Sequence, residues 1–126
     1  MTKIKLCGLT RPEDIAAANA LQPEYIGFVF AAKSKRAVSR EIAAALKAQL
    51  SPGIQAVGVF VNEAPEAVAD LLNAGIINIV QLAQNNVKGF LQRIEFNTLS
   101  AAGSVVFDSE IGIYEYKGLY RQVLKF

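Results

Sequence analysis

Lys3-Ile4-Lys5-Leu6-Cys7-Gly8-Leu9-Thr10-Arg11-Pro12-Glu13-Asp14 decides how this chain is read. Lys3 to Leu6 alternates and leans toward β-structure, so residues 3–7 are expected to form a strand. Cys7 then falls at the carboxyl end of that strand. Gly8 follows at once, and Thr-Arg-Pro-Glu-Asp opens a helix. Thr10 is the expected N-cap, with Glu13 three residues on as its capping-box partner. Pro12 falls in the first turn, where its missing N–H costs nothing. In parallel α/β proteins, ligands bind at the carboxyl ends of the strands. The single cysteine of the chain therefore sits where chemistry usually happens. The plain alternative is that Cys7 is a small buried apolar residue, since free cysteine is among the most buried types.

Working outward, the first helix runs through Ile15, Ala18 and Ala20 to about Leu21 and breaks at Gln22-Pro23-Glu24. Tyr25-Ile26-Gly27-Phe28-Val29-Phe30 is a continuous apolar run, as a strand buried on both faces requires. Residues 31–38 form a basic loop with Lys33, Lys35 and Arg36. Ser39 caps a second helix, with Ile42, Ala45, Leu46 and Gln49 at helical spacing, and Ser51-Pro52-Gly53 ends it. Residues 55–61 read as a third strand, and Asn62 as the turn after it. Pro65-Glu66 starts a third helix through Val68, Leu71 and Leu72, and Asn73-Ala74-Gly75 stops it. Residues 76–82 read as the fourth strand. One βα unit recurs about every 25 residues, with no low-complexity linker. Such short crossovers build a parallel sheet with helices packed outside it.

The pattern weakens after Leu82. Residues 87–94 are expected to be a helix, residues 104–108 a short fifth strand ending in Asp108, and residues 119–126 a final helix with Leu119, Val123 and Phe126 on one face. The expected fold is thus a single α/β domain over residues 1–126 with about five strands, as a partial barrel or an open flavodoxin-like sheet.

Composition removes several function classes. The chain has 126 residues, 13 basic and 11 acidic side chains, a net charge of +2 and no histidine. Its mean hydropathy is +0.29. That charge balance argues against a nucleic-acid surface but allows a local cluster that holds one phosphate. One cysteine makes neither an internal disulfide nor a Cys-rich metal site. Proton transfer must fall to Cys, Asp, Glu, Lys or Tyr. The amino-terminal residues lack the apolar stretch of a signal peptide, and no apolar run reaches transmembrane length. The expectation is a cytoplasmic protein with no membrane, cofactor or metal requirement.

The stretches Lys5–Asp14, Tyr25–Phe30, Ala32–Ser39, Val57–Asn62 and Ile79–Leu82 together resemble phosphoribosylanthranilate isomerase, a (βα)8-barrel enzyme of tryptophan biosynthesis. They follow in that family's order and spacing over residues 3–82. The resemblance implies an Amadori rearrangement of N-(5-phosphoribosyl)anthranilate, a small phosphorylated sugar-amine, to the open-chain ketosamine. A general acid protonates the furanose ring oxygen, the ring opens to a Schiff base, and a base removes the proton from C2. Cys7 matches the family's base. Arg36 matches the arginine that touches the substrate's anionic group. Lys5 and Gln81 join it as candidate substrate-binding residues, and Lys5 and Arg36 as sources of positive field at Cys7. Regular alternation aims Lys5 to the same side as Cys7. Val106-Phe107-Asp108-Ser109 matches the motif of the family's general acid, which makes Asp108 the candidate acid. The other reading of Asp108 is a turn-forming residue at a strand end.

The chain also departs from the family. Ala83 stands where the family has His after Gln-Leu, and the late glycine-rich phosphate turns have no counterpart in residues 109–118. A complete barrel of eight strands needs roughly 250 residues, and at least about 200. The competing expectation is therefore a shortened or degenerate relative without turnover, serving as a phosphate-ligand binder or interaction module. A phosphate-acceptor receiver domain fits the length but needs acidic residues after the first strand, where this chain has Cys7-Gly8. An incomplete barrel exposes a sheet edge, so self-association through that edge is expected.

Overall fold

Proline at two helix starts and glycine or asparagine at the turns punctuate the chain into alternating strands and helices. The computed structural model describes residues 3–82, 103–107 and 120–125. The strands are β1 (Lys5–Cys7), β2 (Tyr25–Val29), β3 (Gln55–Phe60), β4 (Ile79–Leu82), β5 (Gly103–Phe107) and β6 (Tyr120–Lys125). The helices are α1 (Pro12–Leu21), α2 (Arg40–Gln49) and α3 (Pro65–Asn73). The six strands form one sheet in the order β1-β2-β3-β4-β5-β6, all neighbours parallel.

That order distinguishes the two architectures left open by the pattern. An open doubly wound sheet reverses its strand order, which sends helices to both faces. Here every crossover advances in the same direction, so same-handed crossovers leave the helices on one face. Packing agrees. Ile15 and Ala18 of α1, Ala43 and Leu46 of α2, and Val68, Leu71 and Leu72 of α3 share one core with Ile26, Phe28, Ala56, Phe60, Val80 and Leu82. The alternate strand residues Tyr25, Val57 and Ile79 form a separate cluster with Val59 on the opposite face. This is barrel-type winding. Phe28 and Phe60 are fully buried in the helix-side core, and burying a side chain of that size contributes about 1.5–3 kcal/mol.

Several boundaries differ from the expectations. The N-cap of α1 is Arg11 rather than Thr10, and Pro12 is its first helical residue. The carboxylate that satisfies the helix start is Asp14, not Glu13. Asp14 Oδ2 accepts from the Thr10 and Arg11 backbone N–H groups at 3.0 and 3.1 Å, and Oδ1 pairs with Arg11 Nη2 at 3.0 Å. Ser39 caps α2 as expected, accepting from the Ile42 N–H at 3.2 Å. The buried face of α2 is Ala43, Leu46 and the following Leu50, whereas Ile42 is 49% exposed. β4 begins at Ile79 because Ile76 and Ile77 are used to end α3. Gly75 takes φ +73°, and the Ile76 N–H donates to Leu71 O at 3.0 Å, a glycine-based helix stop.

The largest correction lies at the carboxyl end. Residues 120–125 form strand β6, paired parallel to β5, where a helix was expected over residues 119–126, so the described sheet has six strands rather than about five. Tyr-Arg-Gln-Val-Leu-Lys is short enough to satisfy both periods, and pairing with the β5 backbone selects the strand. The helix expected over residues 87–94 lies outside the described residues. No described helix is long and apolar enough to cross a membrane.

Candidate active site

Strand alternation places the site. Leu6 packs into the helix-side core, so Lys5 and Cys7 face the other side with Tyr25, Gly27, Val57, Ile79 and Gln81. Cys7 ends β1 opposite Gly27 of β2. Its thiol is free and exposed, which removes the reading of Cys7 as a buried apolar residue.

The turn after Cys7 depends on Gly8, which adopts φ +87° and donates its N–H to Gly27 O at 2.9 Å. A Cβ at Gly8 would lie 2.3 Å from Arg36 Nη1 and 2.6 Å from its Cζ. The glycine is thus required twice, for its left-handed backbone and for the guanidinium that lies across it. Arg36 Nη1 donates to the Cys7 carbonyl oxygen at 3.0 Å. The loop that delivers Arg36 is itself built. Ser34 Oγ accepts from the Arg36 N–H at 3.1 Å, and the Val38 N–H donates to Val29 O at 2.9 Å, fastening the loop to the end of β2. Lys33 and Lys35 on the same loop are exposed.

Lys5 is half-buried and crosses the concave face from β1 to β4, where its Nζ donates to Gln81 Oε1. Burial pushes Lys5 below its ordinary range, and the charge and hydrogen bond of Cys7 act in the opposite direction. Four of the five candidate residues, Lys5, Cys7, Arg36 and Gln81, therefore meet at the carboxyl end of the sheet. The fifth, Asp108, lies outside the described residues, next after β5.

Gly27 is a site residue that the sequence reading missed. A Cβ there would lie 2.7 Å from Cys7 Sγ and 3.2 Å from Lys5 Cε. Gly27 is the floor over which the thiol and the lysine stem lie. A glycine inside the apolar run Tyr25–Phe30 was the available signal, since strand glycines often mark a close approach. No group of three or more His, Cys, Asp or Glu side chains is gathered among the described residues. A separate cavity of about 200 Å³ opens between α2 and α3. It is lined in part by Phe30 and Phe60, stacked at 5.1 Å, with the Arg40–Asp70 ion pair at its rim, and Cys7 takes no part in it.

Comparison with known proteins agrees with this geometry. The profile described as N-(5'phosphoribosyl)anthranilate (PRA) isomerase matches residues 4–119. N-(5'-phosphoribosyl)anthranilate isomerase from Acetivibrio thermocellus is 41% identical over 95 residues, covering 75% of this chain and 43% of the relative. That from Dechloromonas aromatica is 50% identical over 80 residues, covering 64% and 38%. A crystal structure of phosphoribosyl anthranilate isomerase, in complex with reduced 1-(o-carboxyphenylamino)-1-deoxyribulose 5-phosphate, superimposes with a TM-score of 0.72 at 34% identity. The alignment covers 86% of this chain and 54% of that one. The chain spans about two fifths of the length of the curated relatives it matches. With the family's profile matched over most of its residues and its barrel-type winding in place, the chain belongs to the N-(5'-phosphoribosyl)anthranilate isomerase family.

Proposed function

We propose that the chain carries the base side of an Amadori rearrangement of N-(5-phosphoribosyl)anthranilate. The supporting observation is an exposed Cys7 thiol at the carboxyl end of β1, beside the Lys5 ammonium and with Arg36 fixed across the adjoining turn. An acid delivers a proton to the furanose ring oxygen, the C1–O bond breaks, and the electron pair on nitrogen forms the C1=N Schiff base. Cys7 thiolate then takes the C2 proton. The resulting C1=C2 enolamine takes a proton at C1 and loses its C2 hydroxyl proton, giving the ketosamine without change in composition. Asp108 is the candidate acid, by its place directly after β5. Arg36 supplies a cation for the substrate's anionic group. The solved relative holds a compound with a carboxyphenylamino group and a phosphate, both anionic at neutral pH.

A second reading, a fold core without turnover that binds a phosphorylated ligand, is favoured by Ala83 in place of the family's histidine. Turnover of freshly prepared phosphoribosylanthranilate, followed by loss of anthranilate fluorescence, separates the two. The catalytic reading expects activity that falls by at least about a hundredfold in Cys7→Ala. Absence of turnover in the folded, unsubstituted chain leaves the binding reading standing.

A further inference from the structure

We infer that Gln81 and Lys5 are positioning residues for Cys7 rather than substrate contacts: Gln81 anchors the Lys5 side chain, and the side chain so held keeps its ammonium beside the Cys7 thiol. The inference rests on Cys7 being the reactive group of the proposed function, but it concerns the free protein and needs no substrate.

The argument is geometric. Lys5 starts on β1, two residues before Cys7, and its long side chain runs over Gly27 to reach β4. A flexible lysine at an open strand edge would otherwise turn its ammonium to water, where it is best hydrated. The carboxamide of Gln81 gives it a fixed acceptor on the far side of the concave face. In that extended arrangement the end of the lysine stem and the Cys7 sulfur lie over the same spot, 3.2 and 2.7 Å from where a Cβ at Gly27 would stand. Gln81 has a neutral acceptor, so it fixes the cation without cancelling its charge. A carboxylate there would hold Lys5 as well and remove the positive field from the thiol. Reactive cysteines are found in such electropositive, partly exposed surroundings.

Other groups cannot easily replace this cation. On the Cys7 face, the titratable neighbours from β1 and β2 are Lys5 and Tyr25, and the loop after β2 adds Arg36. The Arg36 guanidinium donates to the Cys7 carbonyl oxygen and so holds the main chain. The residues of β3 and β4 on that face, Gln55, Val57, Val59, Ile79 and Gln81, carry no charge. Asp14, at the start of α1, is engaged by Thr10 and Arg11.

The chain has a single cysteine, so alkylation by iodoacetamide reads one thiol. Rates are measured against pH for the unsubstituted chain, Lys5→Met, Gln81→Leu and Gln81→Glu, all checked for fold by circular dichroism. Lys5→Met and Gln81→Leu are each expected to slow alkylation at pH 7 by about three- to tenfold. Gln81→Glu, which keeps an acceptor for Lys5, is expected to slow it at least as much as Gln81→Leu. Rates in both Gln81 variants equal to that of the unsubstituted chain would falsify the inference and leave Gln81 as a substrate contact. A slowed Gln81→Leu with an unslowed Gln81→Glu would also overturn it, since shape rather than charge would then be responsible. Loss of turnover alone bears on the proposed reaction and leaves these rates unaffected.

Discussion

At the scale of single residues, the site is made by what is missing as much as by what is present. Gly8 and Gly27 lack the Cβ atoms that would meet Arg36 and the Cys7 thiol. Gly27 has an ordinary strand conformation, so alanine there needs no left-handed backbone; its Cβ meets the Cys7 sulfur, which can rotate away, and stands 3.2 Å from Lys5 Cε and 3.3 Å from Cys7 Cα, which small shifts relieve. Gly27→Ala is therefore expected to leave stability within about 1 kcal/mol of the unsubstituted chain while turning the thiol out of position. A misplacement of that kind costs on the order of a hundredfold in a proton-transfer step. Turnover together with urea unfolding checks this, and a strongly destabilised but catalytically normal variant would contradict it. Cys7 and Arg36 were legible because their residue types and places in a strand-turn-helix stretch are informative by themselves. Gly27 was not singled out, because its role is visible only once β1 and β2 are set side by side and the sulfur is seen above it.

At the scale of elements, the start of α1 shows how a helix terminus settles among near-equivalent capping residues. Thr10 with Glu13 and Arg11 with Asp14 offer the same spacing one residue apart. The structure uses the second because Asp14 reaches two backbone N–H groups and the Arg11 guanidinium together. The Thr10 N–H and then the Arg11 side chain hold Asp14 below its usual carboxylate range. A carboxylate with a depressed folded value adds stability that is complete above its unfolded value, 3.8, and is lost as pH falls through the lowered folded value. The melting temperature of Asp14→Ala is thus expected to lie a few degrees below that of the unsubstituted chain at pH 6, with the gap closing as pH is lowered well past 3.8. A gap that persists unchanged at the acid end would assign the loss to packing instead. The same scale explains the two misread segments. Ile76 and Ile77 are apolar enough for a strand, but their backbone donors close α3, and residues 120–125 are short enough for either period until a neighbouring strand supplies partners. Local pattern identifies such segments as buried; only their neighbours decide the backbone form.

At the scale of the whole molecule, β1 is bonded to β2 on one side and to no other described strand. Its outer row of N–H and C=O groups is a template for another strand. Sedimentation at micromolar concentration is expected to show self-association, and a monomer across that range would remove the expectation. The in-order sheet has a further consequence, for how the chain reaches its fold. Each strand finds its partner in the unit made just before it, so structure can be laid down progressively as the polypeptide leaves the ribosome, with little waiting for distant segments. The bond from Lys5 to Gln81 breaks that local rule, joining residues 76 apart in sequence. It can form only after four strands are in place. The anchor of Lys5 is therefore set last, and a nascent or half-folded chain carries Lys5 and Cys7 without the carboxamide that ties them to β4.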